Sequence, residues 1–416
     1  MIPLHGAKAS GRRLWVVCQL GAREHYSVAR ALHHEGALAA MVTDLWCPPW
    51  HPLSWLDPTG RLSGRWHSGL SGASVLAANV SFLAFEVGLR LGNKSDWQKM
   101  AGRNLLFGAH GIDAVRRLKS HLAGQNITVF AYSYAARDIF HAAKALGWTT
   151  VLGQVDPGPR EEQIENGLLQ AHPDWACTPS GQKPEDYWAR WHEECAAADY
   201  IVVNSRWSGA SLVESGVPRT KIRVIPLAFE PGNPSTSTTA RRQSGPLRVL
   251  FLGQVIARKG IFDLLETARN LAEEDIHFDV VGPHEPIPFA LPPNMTFHGS
   301  ANRAAASDWF ASSDVFVLPT HSDGFAITQL EAMAAGLPVI ATPCCGEVVE
   351  SGRNGFLIPP GRPDMLAAAL QDLLRNRPML AAMSEAARKT SASFGLGRLA
   401  STLTGLEEML GEPTRR

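Results

Sequence analysis

Two carboxylates eight positions apart, Asp323 and Glu331, and two adjacent cations, Arg258 and Lys259, are the residues best placed for chemistry. Asp323 closes a polar loop, Thr320 to Gly324, between a short apolar run and a segment of helical composition from about Phe325 to Ala335. An Asp there can cap the first free amides of a helix or face a ligand. Glu331 stands among Leu330, Ala332 and Met333. An unpaired carboxylate is costly to bury in such a run, so it calls for a ligand hydroxyl or a buried Arg. Arg258 and Lys259 precede a helix that opens at Ile261, where the dipole disfavours cations. A bound anion reconciles that clash, and helix amides with two cations suit a pyrophosphate. The plain alternative is a pair of solvated charges. His298 and His321 lack a neighbouring carboxylate pattern, so no metal site is expected.

The elements around these residues alternate strand and helix. Val315–Leu318 is strand-like, Gly336 stops the helix, and Val339–Ala341 is a second apolar run. Such a βαβ unit implies a parallel sheet, whose ligands bind beyond the carboxyl ends of the strands. Asp323, Gly324 and Phe325 are therefore expected to line a crevice. Earlier strands are read at 14–20, 39–43, 127–131, 149–153 and 200–204, with helices between them. Glycines at strand-to-helix turns, Gly21, Gly253 and Gly282, would let a ligand approach backbone amides. Asp156, just past the strand ending near 153, reads as an Asx-turn residue before Pro157. Residues 230–246, rich in Pro, Gly, Ser and Thr, read as a linker. The expected fold is α/β, with two Rossmann-like, doubly wound parallel-sheet domains facing a cleft. The boundaries are 1–228, a linker 229–246, 247–392, and a last helix in 393–416 returning to the first domain.

A chain of 416 residues with 45% hydrophobic and 19% charged residues suits a globular protein of two cores. The net charge is zero, which gives no global reason to expect nucleic acid. Residues 1–150 nevertheless carry an excess of eight positive charges, and 151–200 is the most acidic part of the remainder. A basic first half suits an anionic acceptor or an anionic membrane surface; a scattered solvated face is the alternative. Residues 70–123 read as helices and are the best membrane-surface candidate. Six cysteines without ligand spacing read as reduced fillers, and no stretch has the layout of a signal peptide or a spanning helix. A cytoplasmic protein, peripheral at most on the inner membrane face, is the expectation.

The stretch SDGFAITQLEAMAAGLPVIAT resembles the donor-site signature of family 4 retaining glycosyltransferases, which have the GT-B architecture. That family usually has Glu, seven residues, then Glu, the first followed by Gly-Phe-Gly. The resemblance implies that Asp323 contacts hydroxyls of the donor sugar, with Gly324, Phe325 and Ala326 beside it, while Glu331 holds the nucleotide ribose. GQVIARKG resembles the diphosphate-binding stretch, so Arg258 and Lys259 would stabilise the departing diphosphate without a metal. The implied reaction moves a sugar from a UDP- or GDP-linked donor to a sugar or lipid-linked acceptor. Polysaccharide, lipopolysaccharide or glycolipid synthesis would be its setting. The chain departs from the pattern with Asp323 for Glu, Ala326 for Gly, and Gly153-Gln154-Val155-Asp156 without a histidine. In place of that histidine the resemblance makes Asp156 the candidate for contact with the acceptor hydroxyl or the sugar, the Asx turn being the alternative. A non-catalytic nucleotide-sugar-binding protein and a GT-B epimerase are the alternatives.

Overall fold

The computed structural model describes residues 13–52, 54, 62–175, 183–231, 245–288 and 290–410. Seven strands form the first sheet: β1 (Leu14–Gln19), β2 (Leu38–Thr43), β3 (Val75–Ala77), β4 (Ile127–Tyr132), β5 (Thr149–Gln154), β6 (Tyr200–Val203) and β7 (Ile222–Val224). Six form the second: β8 (Leu247–Leu252), β9 (Ile276–Val281), β10 (Met295–Phe297), β11 (Val315–Leu318), β12 (Val339–Ala341) and β13 (Gly355–Leu357). The orders are β3-β2-β1-β4-β5-β6-β7 and β10-β9-β8-β11-β12-β13, and every pairing between them is parallel. The strand sequences explain this arrangement. LWVVCQ, VFVL and VIA are buried along their whole length, and parallel sheets cover both faces with helices.

One face of the first sheet packs Val16, Val129, Phe107, Val115 and Phe140 into a core. The other face buries Trp15, Val17, Leu32 and Met41 together with Leu399, Ala400, Leu403 and Leu406 of the helix Leu396–Leu410. Each such leucine contributes about 1.5–3 kcal/mol by leaving water, enough to hold the last helix on the first domain. The second sheet has a single core, from Val249 and Phe316 to Leu370 and Met383.

In both sheets the strand order reverses direction at the middle, between β1 and β4 and between β8 and β11. Ligand crevices of doubly wound sheets lie at that reversal. It is here that the loops after β8 and β11 bring Arg258, Lys259 and Asp323 together.

Two helices, Asn79–Leu91 and Asp96–His121, fill the basic stretch after β3. Ser95 and Gln98 form a capping box at the start of the second. The first leaves Val80, Val87 and Leu91 exposed along one face, at 84%, 56% and 86% of their surface. Among the described residues no helix is long and apolar enough to cross a membrane. Cys18, Cys47, Cys195, Cys344 and Cys345 are buried and free, while Cys177 lies outside the described residues.

Candidate active site

The helix carrying Glu331 begins at Thr328, three residues later than its sequence suggests. The cause is a tertiary hydrogen bond. Ala326 N–H donates to the Cys345 carbonyl at 3.1 Å, which holds Phe325 and Ala326 out of the helix. Ile327 occupies the cap position, so Asp323 is not a helix cap. Phe325 is buried and packs on Phe394. A side chain on Gly346 would strike its ring. The expectation that Phe325 lines a crevice is thus corrected for its side chain, which belongs to the core of the second domain.

Asp323 forms an ion pair with Lys259, and each side chain keeps only 16% of its surface exposed. Arg258 lies across the cleft from two carboxylates of the first domain, at 3.5 Å from Glu161 and 3.7 Å from Glu165. It also donates to the Ser322 carbonyl at 3.2 Å. The two loops are stitched together by their backbones. His321 N–H and Thr320 Oγ1 each donate to the Arg258 carbonyl at 2.8 Å. His321 Nε2 stands 2.6 Å from Asp263 Oδ2, and His298 Nε2 is 2.8 Å from Asp279 Oδ1. Both histidines therefore have carboxylate neighbours that their sequence positions do not reveal. Among the described residues no group of three His, Cys, Asp or Glu side chains could hold a metal ion.

Gly260 allows the turn that presents these cations. Its φ of +78° is left-handed, and a side chain there would run into the Pro319 carbonyl. Glu331 sits in the first turn of its helix, half-buried. The three turn glycines make internal contacts. Gly21 N–H donates to Asp44 at 2.9 Å, Gly253 N–H to Val281 and Gly282 N–H to Gly299. A side chain on Gly282 would run into the Gly253 carbonyl.

The first domain closes directly on the loop after β11. A side chain on Gly324 would overlap the Val155 carbonyl oxygen and lie 3.3 Å from the Asp156 Cα. Ser208 Oγ donates to the Gly324 carbonyl at 3.3 Å, and Trp207 Nε1 to Ser322 Oγ at 3.3 Å. Arg206 N–H donates to Glu347 at 3.0 Å. These residues open a helix capped by Ser205; the cap is visible in the sequence, its interdomain contact is not.

Asp156 takes the Asx-turn position of its sequence reading. Its Oδ1 accepts the Gly158 N–H at 2.8 Å, an Asx turn, and also the Tyr134 hydroxyl at 2.7 Å and Gln154 Nε2 at 3.0 Å. It lines a cavity of about 870 Å³ between the domains. The first-domain wall of this cavity carries Glu161, Glu162, Glu165 and Lys183 beside Trp97, Tyr187 and Trp188; Gln254 and Glu285 lie opposite. Acidic residues of the segment 151–200 therefore line the cleft, and among the described residues no cation of 1–150 is part of its lining.

Burial pushes the Glu161 carboxyl up to about 7; Arg258 pulls it down, and Asp156 and Asp323 push it further up. The folded protein thus holds this proton more tightly than the unfolded chain. Its stabilising effect is full at pH 4 and is lost as pH rises toward 7. Glu161→Gln should flatten the fall in stability between pH 5 and 8 by up to about 3 kcal/mol. Melting temperatures across that range test it; equal slopes in variant and wild type would contradict the assignment. Glu194, buried beneath Tyr134 and also raised to about 7, contributes with the same sign and remains in the variant.

The two parallel-sheet domains facing one cleft are those of the GT-B glycosyltransferase fold, and the second domain carries that class's sequence pattern. Residues 246–376 match the family described as glycosyl transferases group 1. A D-inositol 3-phosphate glycosyltransferase of Xylanimonas cellulosilytica is 29% identical over 236 residues, covering 50% of this chain and 56% of that one. The sulfoquinovosyl transferase SQD2 of Arabidopsis thaliana is 29% identical over 215 residues, 48% of this chain and 42% of its own. The chain thus spans about half the length of these curated relatives. Among solved structures, sucrose-phosphate synthase from Thermosynechococcus elongatus superposes with a TM-score of 0.61 at 18% identity, over 96% of this chain and 99% of that one. Anabaena HepE in complex with UDP gives 0.59 at 16%, over 96% and 100%.

Proposed function

We propose that the protein transfers a sugar from a UDP- or GDP-linked donor to an acceptor hydroxyl, with retention of anomeric configuration. The observation that carries this reading is the placement of Lys259 and Arg258 beside Asp323, at the strand-order reversal of the domain that matches group 1 glycosyltransferases. In the proposed mechanism a donor diphosphate takes the place of Asp323 opposite Lys259, against the amino end of the helix Ile261–Asn270. Freed from the pair, Asp323 turns to the sugar hydroxyls. Glu331 accepts hydrogen bonds from the ribose. Positive charge at this position stabilises the leaving diphosphate electrostatically, without a divalent metal. Asp156, oriented through Oδ1 by Tyr134 and Gln154, faces the acceptor side. Polysaccharide, lipopolysaccharide or glycolipid synthesis in the cytoplasm is the setting this reading carries.

The test is thermal stability against a panel of nucleotide-sugars and nucleoside diphosphates. A ligand present at one hundred times its dissociation constant stabilises the fold by about 2.7 kcal/mol. One donor should raise the melting temperature of the wild type, and Glu331→Ala should respond weakly to the same donor. No response of the wild type to any nucleotide would remove the proposal.

A further inference from the structure

We propose that the acceptor is a neutral, hydroxyl-rich sugar that stacks on an aromatic wall of the cleft, and that the cleft disfavours phosphorylated acceptors. This rests on the reading of the protein as a glycosyltransferase and names the substrate class of its second site.

The wall is a built structure. Trp97 and Tyr187 meet edge to face at 5.2 Å, as do Tyr187 and Trp188 at 4.9 Å. Tyr134 stacks on Tyr187 at 5.2 Å with 20° between the rings. Lys183 Nζ sits over all three rings of the wall, 5.1 Å from Trp97, 5.3 Å from Tyr187 and 4.6 Å from Trp188. Glu162 fastens the assembly, accepting from Trp188 Nε1 at 2.6 Å and pairing with Lys183 at 2.5 Å. Trp97, Tyr187 and Trp188 nevertheless stay half-buried and line the cavity.

Tyr134 adds a sign of purpose. It holds a left-handed φ of +75°, uncommon for an aromatic residue. Its N–H is held by the buried Glu194 at 2.7 Å, while its hydroxyl reaches Asp156. Backbone strain persists only where the surroundings enforce it, and here they aim the phenol at the cleft carboxylate.

The charges of the lining decide the ligand class. Among the described residues, Asp156, Glu161, Glu162, Glu165 and Glu285 line the cavity with Lys183. That lysine is engaged by Glu162 and the rings, and Arg258 is engaged from the side by Glu161 and Glu165. The carboxylates still outnumber these two cations, even with the Glu161 carboxyl pushed up to about 7. Carboxylates accept hydrogen bonds from sugar hydroxyls. The apolar C–H face of a pyranose fits the negative face of an aromatic ring. A phosphate would meet like charge in a confined space. Among the described residues, none of the cations of 1–150, whose excess by composition suits an anionic acceptor, lines this cavity.

The cavity's tryptophans provide the readout. With the protein saturated by the nucleoside diphosphate that raises its melting temperature, emission would be titrated with methyl glycosides of glucose, mannose and galactose. The 6-phosphates of the same sugars form the second series. At least one neutral glycoside should perturb the emission and saturate at a concentration at least tenfold below its phosphorylated counterpart. Trp97→Ala should weaken that binding at least tenfold while the nucleotide-induced melting shift stays unchanged. Glu285→Lys, on an exposed loop, should narrow the preference against the phosphates. Equal or tighter binding of the phosphates overturns the proposal, as does a complete lack of response to the neutral series. Loss of the nucleotide shift itself would instead strike the transferase reading, so the two failures are distinct.

Discussion

Gly324→Ala should lower kcat/KM about 100-fold while leaving the nucleotide-induced melting shift in place. The added methyl would fall on the Val155 carbonyl oxygen of the opposite domain. The loop cannot retreat, because Asp323 N–H donates to the Cys344 carbonyl at 2.8 Å and Ala326 N–H to that of Cys345 at 3.1 Å. The first domain must yield instead, which carries Asp156 away from Asp323 by about the diameter of the clash. A displacement on the order of 1 Å is enough to cost two orders of magnitude in rate. Each domain retains its own core, so nucleotide binding by the second domain and overall folding should survive. Steady-state kinetics and melting curves on the same preparation separate these effects. Wild-type turnover in the variant would show that the approach of Gly324 to Val155 plays no part in the reaction.

That contact also marks the limit of what the sequence discloses. Alternating apolar runs and helical stretches specify two parallel sheets, because strands buried on both faces leave no polar alternation to misread. Short edge strands escaped notice: Val75–Ala77 and Gly355–Leu357 are three residues each, too brief to show a period. The Glu331 helix starts later than its sequence suggests because Phe325 and Ala326 have ordinary helix composition, yet the Ala326 N–H is held out of the helix by the Cys345 carbonyl, nineteen residues away. Lys259 and Asp323 could each be singled out locally. Their pairing across 64 positions could not, since it depends on two loops meeting where the strand order reverses. The aromatic wall was least legible of all. Trp97 lies about ninety positions from Tyr187 and Trp188, and only the packed fold joins them.

Lys259→Met tests whether the pair opposite Asp323 is structural or catalytic. Removing the ammonium leaves a mostly buried carboxylate without its cation, which in a fully buried pair costs about 3–5 kcal/mol. With both side chains still 16% exposed, the lower end of that range is the expected loss of stability. The same change should reduce kcat by about 100- to 1000-fold, because charge growing on a departing diphosphate loses its nearest cation. Adding Asp323→Asn to Lys259→Met separates the two roles. The double variant no longer buries an unpaired charge, so its melting temperature should return most of the way to wild type. Its activity should stay low, since neutralising Asp323 supplies no positive charge to the leaving group. If activity returned together with stability, Lys259 would serve only to neutralise Asp323, and stabilisation of the leaving group would have to come from Arg258 and the helix amides.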